Sequence, residues 1–334
     1  MTSPFRHTRP VPPKSATGRT AEVYAQLARD FGIDGAPTFV VLSSAPELLT
    51  ATWALLRESL IAGEGDRTGK ELAALGVSRA NRCPFCVDAH TMLLHATGDH
   101  ALAERLARGE LPRDDGHARL LAWGEATRVP GSPEVAALPF PPAHTPAYVG
   151  TVLSFHFINR IVSALLTENL LPGNVQRFRA VRSLVGRSVS RTVRRQVAPG
   201  AALALLDEPG SAPSWAAGTT AGPAYAALRT ASETGAALLS EEDRALVRET
   251  VRAWDGRHPP LGWPGLPGRA DRPGARLALL AALAPYRITD EDVAAWKRPP
   301  YTDGCLVRLV AYGAFAAVDR IESALPLAAH EEIA

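Results

Sequence analysis

Apolar residues recur at three- and four-residue spacing through most of this chain, and prolines and glycines cut the pattern into helix-length segments. Strand-like β-branched alternation is scarce outside the short run Thr38 to Leu42. A chain patterned this way must bury helix faces against helix faces, so the predicted fold class is all-α. The spacing predicts helices over Leu48–Ile61, Thr68–Val77, Pro84–Thr97, His100–Arg108, Gly116–Ala126 and Tyr148–Leu170. Beyond a basic stretch it predicts helices over Leu239–Trp254, Ala275–Leu283, Asp290–Trp296 and Leu306–Leu325. Ser44-Ala45-Pro46-Glu47 has the form of a capping box with proline in the first turn, and Gly98 is placed to stop the Pro84 helix. The proline-rich stretches Val129–Pro146 and Asp207–Pro223 read as loops, the second as a linker between halves.

Composition narrows the function classes. Hydrophobic residues make up 46% of the 334, yet no uninterrupted apolar run reaches the roughly 18 to 20 residues that cross a bilayer. Met1 to Pro13 carries Arg6 and Arg9 and no apolar segment, so it does not read as a secretory signal, and a cytoplasmic protein without a membrane partner is expected. A net charge of +2 is too small for a dedicated nucleic-acid binder. Three cysteines argue against a secreted disulfide scaffold, but two of them, Cys83 and Cys86, stand together.

Those two open the informative stretch, whose skeleton is Glu71, eleven residues, Cys83-Pro84-Phe85-Cys86, three residues, then His90. Pro84 belongs at the first helical position, which puts Cys83 at the cap and Cys86 at the third helical position, beside backbone N–H groups without intrahelical partners. Helix N-termini and Cys-x-x-Cys motifs can lower a thiol pKa from about 8.5 to between roughly 3.5 and 7.5, which favours the reactive thiolate. His90 follows Cys86 by four residues on the same helix face, where an imidazole can take the thiol proton directly or through water. Glu71, on the preceding helix, can orient His90 if the two helices pack together.

Glu71, Cys83, Cys86 and His90 resemble, at every spacing, the active-site pattern of the AhpD-like alkylhydroperoxidases within the carboxymuconolactone decarboxylase superfamily. The flanks Lys70-Glu71-Leu72 and Val87-Asp88-Ala89-His90-Thr91 share the likeness, which is strong from Glu22 to Asp99 and weaker, with His156-Phe157-Ile158-Asn159-Arg160, up to Leu170. The resemblance implies an all-helical fold that builds homo-oligomers and a peroxidase that works through a redox dithiol, with no cofactor and no metal. It implies that Cys86 attacks the peroxide, that Cys83 resolves the sulfenic acid to a disulfide, that His90 and Glu71 relay protons, and that an external thiol carrier restores the dithiol. Phe85 departs from the best-known member, which has a histidine between its cysteines.

Other readings use the same residues. Cys83, Cys86 and His90 could hold zinc if Asp88, His95 or Glu71 supplied a fourth ligand. A non-redox enzyme of the lactone-decarboxylase type is the alternative within the superfamily. Haem attachment is excluded, because Val87 rather than histidine follows Cys86. His95 reads as a surface residue, His156 as a core histidine, Asn81 as a turn or cap, and Cys305 as a small packing residue. Arg177, Arg179, Arg182, Arg187, Arg191, Arg194 and Arg195 alternate with Phe178, Val181, Leu184, Val185, Val189 and Val193, which predicts a basic amphipathic helix that is solvated or faces a subunit.

The expected organisation is a tail over 1–20, an AhpD-like catalytic domain over 21–170, a basic helix and linker over 171–225, and a C-terminal helical domain over 226–330. That last domain has the marks of a degenerate repeat lacking the Cys pair. Asn159–Leu165 resembles Asp319–Leu325, and Asp115–Gly124 resembles Asp303–Gly313, though at different offsets.

Overall fold

The computed structural model describes residues 3–207 and 210–327, so Met1, Thr2 and the last residues of the predicted 226–330 segment lie outside the described residues. The described residues form fourteen α-helices. They are α1 (Gly18–Gln26), α2 (Pro37–Val40), α3 (Pro46–Leu56), α4 (Arg67–Ala80), α5 (Pro84–Thr97), α6 (His100–Ala107), α7 (Asp115–Ala126), α8 (Thr145–Leu165), α9 (Arg179–Val193), α10 (Ala221–Glu233), α11 (Glu241–Arg252), α12 (Pro273–Leu283), α13 (Asp290–Trp296) and α14 (Asp303–Glu322). Among these residues the one β feature is an isolated antiparallel bridge between Phe5 and Leu166. The all-α class expected from the periodicity is the fold observed.

α8 is the axis of the molecule. Every one of its residues except Ser163 is buried, because α3 and α4 pack on it from one half of the sequence and α14 from the other. Phe157 of α8 meets Phe315 of α14 with ring centroids 6.3 Å apart. Apolar side chains from Val23 to Leu325 join in one continuous core.

Two helix pairs approach unusually closely. A Cβ on Gly124 of α7 would lie 2.2 Å from the Ala73 carbonyl oxygen of α4, and one on Gly313 of α14 would lie 2.1 Å from that of Ala278 in α12. Only a glycine lets the backbones meet at such points.

The N-terminal segment is tied to both halves. Arg6 N–H donates to the Leu165 carbonyl (2.8 Å), the Arg6 side chain donates to the Ile288 carbonyl (2.7 Å), and Lys297 Nζ donates to the His7 carbonyl (2.9 Å).

Several expectations need correction. Ser44 does not cap α3: the cap position is Ala45, no side chain caps the helix, and Ser44 ends a 3₁₀ turn over Val41–Ser44. Glu47 is turned instead toward Arg308 of α14 (2.7 Å). The helix predicted over Tyr148–Leu170 runs from Thr145 to Leu165, because Leu166 turns extended and bridges to Phe5. Helices α1, α2 and α10 have no counterpart among the predicted helices, and the strand-like run Thr38 to Leu42 falls in α2 and the 3₁₀ turn that follows it. Of the stretches matched in the suggested duplication, Asp303–Gly313 lies on α14 and Asp319–Leu325 begins in its last turn and runs past its end, whereas their partners lie on α7 and α8.

Candidate active site at the start of helix α5

Helix α4 starts at Asp66, whose carboxylate accepts from Gly69 N–H at 2.7 Å, and ends at Asn81. Arg82 then adopts the left-handed conformation (φ 56°), and the chain reverses within two residues. Cys83 takes the cap position of α5 and Pro84 the first helical position, while Gly98 (φ 109°) ends the helix. α5 therefore packs back along α4, which brings Glu71 opposite His90. The order of elements in this region follows the sequence prediction from cap to stop.

Cys83 and Cys86 are joined as a disulfide with Cα atoms 5.3 Å apart, and both are buried. Sulfurs joined to each other are not available as metal ligands in this state. His90 Nδ1 lies 2.7 Å from Glu71 Oε2, with the two residues 1% and 0% exposed. Arg67, one turn before Glu71, donates through Nε to Glu71 Oε1 at 2.9 Å. Burial works to raise the Glu71 carboxyl, but Arg67 and His90 outweigh it and hold the group below the ordinary carboxylate range. An ionised Glu71 is an acceptor only, so His90 Nδ1 is the donor of this hydrogen bond. His90 Nε2 is buried and has no hydrogen-bond partner among the described residues. The edge of the imidazole meets Phe155 at a centroid distance of 4.4 Å.

Cys86 and His90 share the wall of a cavity of about 480 Å³. The rest of that wall is largely apolar: Phe31, Ile33 and Phe39 from the stretch after α1, Phe85 and Leu93 from α5, Phe155 and Ile158 from α8, and Val185 and Val189 from α9. Cys83 is not among the lining residues. Phe85, the position that departs from the AhpD-like pattern, contributes wall surface.

The basic segment is the amphipathic helix predicted for it. α9 lies on α5 through Val189 and Val193 against Leu93 and Ala96, and Gly186 comes so close that a Cβ there would sit 2.7 Å from that of His95. Arg182 bonds Glu104 (2.7 Å), Arg194 donates to the Ala96 carbonyl (3.0 Å) and Arg195 pairs with Asp30 (2.9 Å). Arg187 and Arg191 are exposed, and the Arg177 side chain lies outside the described ones.

His95 is not a surface residue. It is 2% exposed, with Nε2 2.7 Å from Glu104 Oε1 and Nδ1 3.1 Å from His100 Nδ1, because α6 and α9 both cover it. His156 is a core histidine held between Asn81 (3.1 Å) and Thr127 (2.9 Å). Asn81 does cap α4, and its buried side chain also accepts from Arg128 (2.7 Å). Cys305 is a free, partly buried thiol in the first turn of α14, packed at the edge of the core. Sequence reasoning missed Arg67, although its i,i+4 spacing to Glu71 is a recognisable signal. It also missed the cavity walls, which come from segments remote in sequence.

An all-α protein with a buried Cys-x-x-Cys pair on one helix and a histidine backed by a glutamate from its neighbour defines a class: the chain belongs to the carboxymuconolactone decarboxylase family, among AhpD-like proteins. The carboxymuconolactone decarboxylase family model matches residues 46–108, which span α3 to α6. Over 341 aligned residues the chain is 39% identical to alkyl hydroperoxide reductase Rv2159c of Mycobacterium tuberculosis (strain ATCC 25618 / H37Rv), covering 98% of this chain and 96% of the relative. No solved structure matches the chain.

Proposed function

We propose that this chain is a thiol-dependent peroxidase that reduces alkyl hydroperoxides through Cys86 and Cys83, with His90 and Glu71 as proton relay. The observation that carries the reading is that Cys86 and His90 line one apolar cavity while Cys83 is bonded to Cys86. The name of the Mycobacterium tuberculosis relative, an alkyl hydroperoxide reductase, points the same way.

In the reduced enzyme His90 Nε2 accepts the Cys86 proton, and the thiolate attacks the outer peroxide oxygen. The O–O bond breaks, Cys86 becomes a sulfenic acid, and the proton held on His90 passes to the departing alkoxide. Glu71 keeps the imidazole in the required tautomer and stabilises its protonated form. Cys83 then attacks the Cys86 sulfur, water leaves, and the disulfide forms. An external dithiol carrier supplies the two electrons that reopen it.

The apolar wall favours hydroperoxides with hydrocarbon substituents, since burying apolar surface contributes roughly 25 cal/mol per Å². A cytoplasmic setting fits an enzyme that must be returned to the dithiol by a thiol pool. A homo-oligomer is expected from the family likeness, and no nucleic-acid or membrane partner belongs to this reading.

Peroxide added to the reduced protein should give a species two hydrogens lighter, with the new bond mapped to Cys83 and Cys86. Cys83→Ser should leave a sulfenic acid on Cys86 that a dione reagent traps. A protein that forms no disulfide and consumes no peroxide with any supplied dithiol overturns the reading.

A further inference from the structure

The turn that carries Cys83 rests on two buried guanidinium groups. Asn81, two residues before Cys83, accepts through its side-chain oxygen from Arg128 Nη1 (2.7 Å) and from Arg160 Nη1 (3.4 Å). Arg128 and Arg160 are 4% and 1% exposed, and among the described residues neither forms an ion pair. Arg160 Nε donates to the Ala282 carbonyl (2.7 Å) and its Nη1 to the His156 carbonyl (2.7 Å), while both guanidinium groups stack over the Trp254 ring at 4.9 and 5.7 Å.

The surrounding titratable groups do not cancel this charge. His258 Nε2 meets the Ala80 carbonyl (2.9 Å), so its Nδ1 is the acceptor that receives Tyr286 Oη–H (3.0 Å) and Arg128 Nη2 (3.3 Å). Burial and Arg128 push His258 down to about 4, so it is neutral at physiological pH. His156 is likewise held neutral by burial and by Arg160 and Arg128. Burial brings Arg128 down to about 10, against the fields of Tyr286 and the exposed Asp255 and with that of Arg82, which leaves it charged at physiological pH. Glu71 is already matched by Arg67 and His90. Burying two cations without a carboxylate costs stability, which makes a use for the charge worth seeking.

We propose that Arg128 and Arg160 are positioning residues of the redox pair: through Asn81 they hold the Arg82 turn that presents Cys83, and their charge favours Cys83 as a thiolate. The proposal rests on the dithiol reading above and gives the C-terminal half, through Trp254, His258 and Ala282, the task of seating both guanidinium groups. Cys83 acts as a thiolate in both half-reactions. When the disulfide forms, Cys83 S⁻ attacks the sulfur of the Cys86 sulfenic acid, the S–O bond breaks, and hydroxide leaves as water after protonation. When it is reduced, a thiolate of the dithiol carrier attacks Cys86, the sulfur on the cavity wall, and the S–S electron pair departs with Cys83. The carrier's second thiolate then releases Cys86, so two electrons pass to the pair and the carrier ends as its own disulfide. In general, at an effective dielectric constant of about 20 a unit charge roughly 10 Å from a thiolate shifts its equilibrium about tenfold.

The test uses the full chain and its Arg160→Met, Arg160→Lys, Arg128→Met and Arg128→Lys variants. Each is equilibrated with reduced and oxidised glutathione, and the pH profile of thiolate absorbance is recorded on the reduced form. The Met variants should lower the equilibrium constant for oxidising glutathione about tenfold, which is about 30 mV toward the reducing side, and move the thiolate profile to higher pH. The Lys variants should stay near wild type. If Arg160→Met does not fold by circular dichroism, the Arg128 pair decides. Folded Met variants with wild-type potential and pH profile overturn the proposal, as do Lys variants displaced as far as Met. A wild-type pair that exchanges no electrons with glutathione overturns the dithiol reading and this inference together. Normal exchange at an unchanged potential in the Met variants overturns this inference alone.

Discussion

Glu71 Oε2 and His90 Nδ1 lie 2.7 Å apart, joining α4 to α5 at a point where neither side chain meets solvent. The contact holds the imidazole through Nδ1 and leaves Nε2 without a hydrogen-bond partner among the described residues, in a residue that lines the same cavity as Cys86. Under the proposed function, stability and chemistry are coupled through one carboxylate.

That coupling gives a pH signature. Because Glu71 is held below its unfolded value of about 4.3, its contribution to stability is fully present above that pH and is lost as pH falls through the lower folded value. Glu71→Gln leaves Arg67 and His90 facing a neutral amide, and we expect it to cost roughly 3 kcal/mol at pH 7. Urea midpoints measured from pH 7 down to about 3 should show the gap between wild type and variant closing in acid. A gap that does not change with pH would assign the loss to packing instead.

His90 is predicted to matter for rate far more than for fold. Replacing it by Gln should slow peroxide consumption by about 10²- to 10⁴-fold, the usual range for a positioned proton acceptor. Single-turnover mass spectrometry of the reduced protein would measure this directly. Wild-type rates in the variant would remove His90 from the relay.

The wall that α9 lends to the cavity predicts a selectivity change. Val189 is buried against α5 and lines the cavity, so Val189→Trp should fill part of the space in front of Cys86. KM for a bulky aryl hydroperoxide should rise about tenfold, while turnover of hydrogen peroxide changes little. Equal losses on both substrates would show that the site itself had been disturbed.

Gly124 supplies a prediction for the scaffold. A Cβ there would stand 2.2 Å from the Ala73 carbonyl oxygen, which is backbone and cannot swing aside. Gly124→Ala should therefore separate α7 from α4 and destabilise the protein by about 3 kcal/mol, the upper part of the range for overpacking. Thermal unfolding of the two proteins side by side would test it.

The legible parts of the site share one property: they depend on residues near one another in the chain. Pro84 and Gly98 mark the two ends of α5, and the i,i+4 relation of Cys86 to His90 follows from helix geometry alone, so both are readable from the order of residues. Glu71 can be placed because a reversal of a few residues joins α4 to α5. His95 looks like a surface residue in the sequence because its burial needs α9 as well as α6, and α9 arrives from far along the chain to bring Gly186 against it. The cavity leaves no sequence signal for the same reason, since Phe31, Phe155 and Val189 meet only in three dimensions. Ser44 fails as a cap because the 3₁₀ turn before α3 already uses its backbone, a competition between local structures that residue identity does not reveal.

The placement of Cys86 on the cavity wall, with Cys83 set back from it, has a kinetic consequence. Under the proposed function, oxidant and reductant are both received at the same sulfur through the same chamber, so they cannot be held together. Turnover must alternate between two half-cycles, giving parallel lines in double-reciprocal plots. Either co-substrate in excess should then slow the other by occupying a doorway that serves them in turn.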